Sequence, residues 1–151
     1  MGEAIVTGQQ IDSCLTDAGV AFGAHILIGD EKYRLFTEQD VTTRLAPAVG
    51  NVFFRLNWSY KAEKRDCDDF ARFASAWAQF LSGENPGDLP VAFGECWSAA
   101  LSHAFCIAFH LNAAGALYAA CYEPQPDVRR FYLNRMVFLE EDFRGIYAVI
   151  L

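Results

Sequence analysis

A chain of 151 residues that is 53% apolar and 15% aromatic has the length of one domain and enough apolar side chains for a packed core, which excludes a disordered chain. Twelve Lys and Arg against nineteen Asp and Glu give a net charge of −7, which excludes nucleic acid, a partner gripped through basic patches on its phosphates. No apolar run reaches the ~18 residues that span a membrane, and the first residues lack the basic start and apolar stretch of a secretion signal.

Five cysteines, Cys14, Cys67, Cys96, Cys106 and Cys121, form no CxxC pair, which removes zinc-ribbon and thioredoxin-type readings. Their odd number points to a reducing, cytoplasmic setting. The acidic balance serves solubility and also suits a basic protein partner.

In chain order, Gln9 to Ala18 carries Ile11, Cys14, Leu15 and Ala18 at helical spacing. His25-Ile26-Leu27-Ile28 and Tyr33-Arg34-Leu35-Phe36 are short strands around the turn signal Gly29-Asp30. Thr37 caps a helix with Asp40 at its third position, and Pro47 is expected to stop it. Gly50-Asn51 then marks a loop, and Val52 to Leu56 a strand or extended lead-in. Asn57 to Arg65 is a loop with Trp58 and Tyr60.

Asp66 caps the next helix, with Asp69 three residues on, and Phe70, Phe73, Ala74, Trp77 and Leu81 form its apolar stripe. Gly83 and Asn85-Pro86-Gly87-Asp88 end it. Val91 to Phe93 is a strand candidate; Glu95 to Leu101 reads as a turn of helix or a loop. His103 to Leu111 and Ala116 to Tyr122 make a hairpin around Asn112-Ala113-Ala114-Gly115. Phe131 to Leu139 and Ile146 to Leu151 complete the strands. A helical half packed on an antiparallel sheet is an α+β architecture, here one domain over residues 1–151.

Cys67 is the nucleophile candidate, since a thiol on the first turn of a helix sits where the dipole favours thiolate. A turn centred between Ala113 and Ala114 pairs positions summing to 226–227. That places His103 opposite Glu123 or Pro124, and makes Glu123 the group that orients the ring. By the same register His110 lies near the turn, on the opposite strand parity, as an edge or surface histidine. Gln125 donates to the carboxylate or an oxyanion, or serves the turn. Trp58 and Tyr60 line a substrate cleft or pack as core. Asp68 and Asp69 cap the helix and face solvent, or hold calcium, an ion satisfied by oxygen ligands.

The motifs Asp66-Cys67-Asp68-Asp69-Phe70-Ala71, Ser102-His103-Ala104-Phe105 and Tyr122-Glu123-Pro124-Gln125 resemble the papain-like domain at the C-terminus of the fairy-ring mushroom agglutinin. Small phage and bacterial lectin-like proteins are similar. The resemblance covers residues 30–151 and implies a papain-like fold, a Cys67–His103–Glu123 triad, and a cysteine protease or amidase acting on a peptide or protein substrate. It also implies calcium on Asp68 and Asp69. No β-trefoil half is present, so sugar binding does not follow from it. The competing expectation is a non-enzymatic acidic interaction or inhibitor module of phage or mobile-element origin that keeps the fold.

Overall fold

The computed structural model describes residues 4–21, 23–58, 66–83, 88–125, 133–136 and 143–151. Strand β1 (Ile5–Thr7) runs directly into helix α1 (Gly8–Ala18). Thr7 and Gln10 cap the junction reciprocally: Gln10 Oε1 accepts the Thr7 N–H at 2.8 Å and Thr7 Oγ1 accepts the Gln10 N–H at 3.2 Å. Gly19, at φ 101°, supplies the left-handed residue that ends the helix.

Strands β2 (His25–Leu27) and β3 (Lys32–Arg34) flank Gly29-Asp30 as expected, but they do not pair with each other. β3 pairs antiparallel with β1, and β2 pairs parallel with the last strand, β8 (Ile146–Ile150). Period-2 patterning finds a strand but carries no record of its partner.

Thr37 caps α2 (Glu38–Asp40), and Asp40 returns the bond: its Oδ2 accepts the Thr37 N–H at 3.0 Å. Pro47 does not end this helix. The chain widens into a π-turn over Val41–Leu45, where the Ala46 N–H reaches back five residues to Val41 O, and continues as α3 (Ala46–Arg55). Pro47 thereby falls in the first turn of α3, where its missing N–H breaks no ladder. The loop expected at Gly50-Asn51 and the strand expected at Val52 to Leu56 are both helix. Ala46, Val49, Gly50 and Phe53 bury one face of it.

Helix α4 (Cys67–Ser82) starts at the Asp66 cap and ends at Gly83, as its stripe predicts. Phe70 and Ala74 are fully buried, and Phe73, Trp77 and Leu81 are partly so. Tyr60 of the expected loop, and residues 131–132 and 137–139 of the expected strand, lie outside the described residues.

The second half is sheet. β4 (Phe93–Ser98) takes in Glu95 to Ser98 of the stretch expected as helix or loop, and residues 99–101 are a turn. β5 (His103–Leu111), β6 (Leu117–Glu123) and β7 (Asn134–Met136) follow, in the order β2-β8-β4-β5-β6-β7. All neighbours are antiparallel except β2 and β8, so the expected α+β architecture holds with one parallel edge.

Along β5, Ala104, Cys106 and Ala108 join the core beneath α3 and α4, while Phe105, Ile107 and Phe109 join a second core with Ile11 and Leu15 of α1. The strand is covered on both faces, which explains its unbroken apolar run. Gly94 marks a close approach of β4 to β8: a Cβ there would lie 1.9 Å from Ile150 O. Gly94→Ala should therefore cost about 1–3 kcal/mol by overpacking, read as a lower urea midpoint at unchanged slope.

Candidate functional site

Two elements meet at one end of the sheet. The α4 start brings Cys67, and the β5 start brings His103. Cys67, Asp68, Trp97, Ser98, His103 and Tyr147 are among the residues lining one cavity of about 480 Å³. The sulfur accepts the Ala104 N–H at 3.3 Å, which pins it to the first residues of β5, next to His103. Ser102, at φ 47°, holds a left-handed conformation that a serine adopts at a cost, directly before His103.

Glu123 grips the imidazole. Its Oε2 lies 2.5 Å from His103 Nε2, and its Oε1 accepts the Gln125 N–H at 2.8 Å. With both carboxylate oxygens engaged, the ring's second nitrogen, Nδ1, is left outside that contact. Gln125 thus meets Glu123 through its backbone N–H rather than by its side chain. Trp58 lies elsewhere: its ring packs on Phe53, Phe70 and Phe73, and the residues around the Cys67 cavity do not include it.

The register that delivers the pair differs from the expected one. Cys106 faces Tyr122 and Leu111 faces Leu117, a sum of 228. Asn112 causes the offset. Its Oδ1 accepts the N–H groups of Ala114 and Ala116 at 2.9 Å each, and Gly115 takes φ 78°, so the turn centres on Ala114. Continued to the strand ends, position 125 is opposite His103, and Glu123 reaches it as the diagonal neighbour on the same face.

Acidic groups surround the helix start. Asp66, Asp68 and Asp69 bring carboxylate oxygens within 4.8 Å of one another. Asp69 Oδ2 accepts the Asp66 N–H at 3.4 Å, completing the helix cap. A hydrogen bond between Asp66 and Asp68 raises the Asp66 carboxyl above its usual value and lowers that of Asp68. Arg72 stands 3.2 Å from Asp68, 3.8 Å from Asp69 and 3.7 Å from Glu95. Oxygen donors of this kind suit calcium, and the single Arg72 charge offsets only part of the charge on Asp68 and Asp69.

Sequence reading missed Arg72 and Glu95. Arg72 is visible only as an i+4 partner of Asp68. Glu95 lies on β4, in the stretch not expected to be strand, where burial pushes its carboxyl up and Arg72 pulls it back. Trp97 and Tyr147 also line the cavity, and only strand pairing brings them there.

His110 is a buried residue rather than an edge or surface one. Its Nδ1 donates to Phe36 O at 2.6 Å, which makes Nε2 the acceptor of the Tyr122 hydroxyl at 2.8 Å. Desolvation pulls its pKa below the usual histidine value. The unfolded chain thus binds a proton that the folded one refuses, and the associated stability is lost as pH falls below about 6.5. Urea midpoints measured between pH 7.5 and 5.5 should fall with acidity in the wild type and less steeply in His110→Gln.

No protein-family model and no curated protein matches the chain. Two solved structures are similar. One is a PSL1a–E64 complex, at 16% identity and TM-score 0.68, matched over 97% of this chain and 51% of the other. The second is Polyporus squamosus lectin bound to the human-type influenza-binding epitope Neu5Aca2-6Galb1-4GlcNAc, at 14% identity and TM-score 0.68, over 97% and 49%. The chain spans about half the length of each. These similar structures are lectins, which overturns the labels cysteine protease, thiol protease and hydrolase drawn from the motif resemblance. What the likeness establishes for this chain is a lectin-like fold.

Proposed function

We propose that Cys67, His103 and Glu123 form a nucleophile, base and orienter in a papain-like arrangement, and that the site captures a peptide-like electrophile covalently on the Cys67 sulfur. The observation that carries this reading is the His103–Glu123 contact at 2.5 Å beside a cavity shared with Cys67. The proposal covers capture alone and includes no peptide hydrolysis.

The chemistry follows from the positions. Cys67 gives up its proton to His103 as the sulfur attacks an electrophilic carbon, forming a C–S bond. Glu123 holds the ring and balances the imidazolium that forms. With E64, an epoxide, the C–O bond of the strained ring breaks, and the released oxygen takes the proton back from His103. The similar PSL1a structure carries that reagent, which supports the choice of probe. Intact-protein mass spectrometry after E64 treatment tests the reading. One adduct mapped to Cys67 supports it, whereas an unmodified chain, or adducts spread over other cysteines, rejects it.

A second reading, non-covalent glycan binding, is favoured by the epitope bound in the similar lectin. Titration of the chain with Neu5Aca2-6Galb1-4GlcNAc tests it without reference to Cys67.

A further inference from the structure

A second cavity is larger than the one at Cys67. About 700 Å³ of space lies against the segment leading into α2 and the turn end of β5 and β6, and Phe36, Glu38, Arg44, Leu81, His110 and Tyr118 are in its wall. That volume falls within the roughly 300–1,000 Å³ of small-molecule sites. It shares no lining residue with the Cys67 cavity. His103 and His110, one at each cavity, stand seven positions apart on β5, roughly 23 Å at ~3.3 Å per residue.

The wall selects a kind of ligand. Two of its charged groups are held in pairs, Arg44 with Asp40 at 3.3 Å and Glu38 with Arg135, and Arg34 also stands in the wall. An ionic ligand would have to compete with those pairs for Arg44 or Glu38. A wholly apolar ligand fares no better, because it would strip water from those ion pairs. Aromatic and aliphatic surface stands beside the polar groups. The Arg44 guanidinium lies 5.9 Å from the centre of the Phe36 ring, and that of Arg135 lies 5.6 Å from that of Tyr118.

Glu38 receives both the Tyr118 hydroxyl, at 2.6 Å, and Arg135 on the same oxygen, Oε1, so Oε2 has lone pairs to offer. A neutral ring with hydroxyls on its edge and C–H groups on its face matches this wall, since each hydroxyl both donates and accepts. Beneath it His110, tied on both ring nitrogens, anchors Phe36 to β5 and keeps the wall in place.

We infer that this cavity is a binding site for an uncharged saccharide of one or two rings, separate from the Cys67 site. The inference rests on the glycan reading above and adds the location and the charge of the ligand. The test is a backbone-amide NMR titration of the whole chain with the neutral disaccharide Galb1-4GlcNAc, beside the sialylated trisaccharide and inorganic phosphate.

Saturable shifts at Phe36, Glu38, His110 and Tyr118 with the disaccharide are expected. Glu38→Gln and Tyr118→Phe should each weaken binding about tenfold, at wild-type melting temperature. Arg44→Gln, at an exposed position, keeps the test informative should either of those fail to fold. Saturable disaccharide binding that maps elsewhere and ignores all three variants overturns the location and leaves the glycan reading standing. Phosphate binding in the cavity in place of the sugar overturns the ligand class. No saturable binding of either sugar removes the glycan reading, and this inference with it.

Discussion

Treated with E64, the wild-type chain should take up one equivalent on Cys67, and Cys67→Ala should take up none. The other four cysteines are buried, and burial pushes each of their thiols up: Cys14 to about 11, and Cys96, Cys106 and Cys121 well above the usual thiol value. They offer almost no thiolate near neutral pH. His103→Ala should slow capture by about 10²–10⁴-fold, the usual worth of a positioned base. Glu123→Gln should slow it less, because a side-chain oxygen still accepts from the ring while the charge that balances imidazolium is gone.

Pseudo-first-order rates from intact mass at several E64 concentrations separate these variants. Cys67→Ala should keep its stability within about 1 kcal/mol, because the thiol is only partly buried and makes one hydrogen bond as acceptor. Equal rates in His103→Ala and wild type would remove the base from the scheme, and E64 uptake by Cys67→Ala would remove the nucleophile.

Phe70→Ala should be the most damaging single change to the fold. The ring is fully buried on α4, edge-on to Phe53 at 5.0 Å and tilted against Trp58 at 5.9 Å. It joins α3 to α4 in the core beneath the sheet. Deleting it leaves a void that rigid aromatic neighbours cannot fill, at about 3–5 kcal/mol. For a chain of this length that is a fall in melting temperature of roughly 6–20 °C. Calorimetry reads it directly. A loss under 1 kcal/mol would mean that this aromatic cluster is not what holds the two helices together.

The two changes probe different properties of one helix. Cys67 stands on its first turn at the cavity, and Phe70 three residues on faces the core. E64 uptake should thus fall in Phe70→Ala only as far as the helix start loosens, whereas Cys67→Ala should lose uptake with its melting curve intact.

Wherever local signals sufficed, the sequence was legible. The Asp66 cap, the aromatic stripe and the Gly83 stop located α4, because capping and 3.6-residue spacing act within one helix. The β5–β6 hairpin was legible from its two apolar runs around Asn112 to Gly115, and with it the pairing of His103 with Glu123. The register was not. Asn112 enlarges the turn by bonding two N–H groups, a side-chain geometry that a pattern of residue types does not encode.

By itself, then, the sequence determined the α+β class, the Cys67 helix start and the candidate His103–Glu123 pair, since each depends on caps, periodicity and a short turn. Tertiary structure decided the rest. It carried the helix through Pro47, because the π-turn shifts the hydrogen-bond ladder before the proline enters α3. It set β2 beside β8 across more than a hundred residues, a pairing with no local signature. Packing on Phe36 and Tyr122 buried His110. It also laid the Cys67 sulfur against the Ala104 N–H, a contact between α4 and β5 that arises only when a buried helix face and a sheet face close on one another.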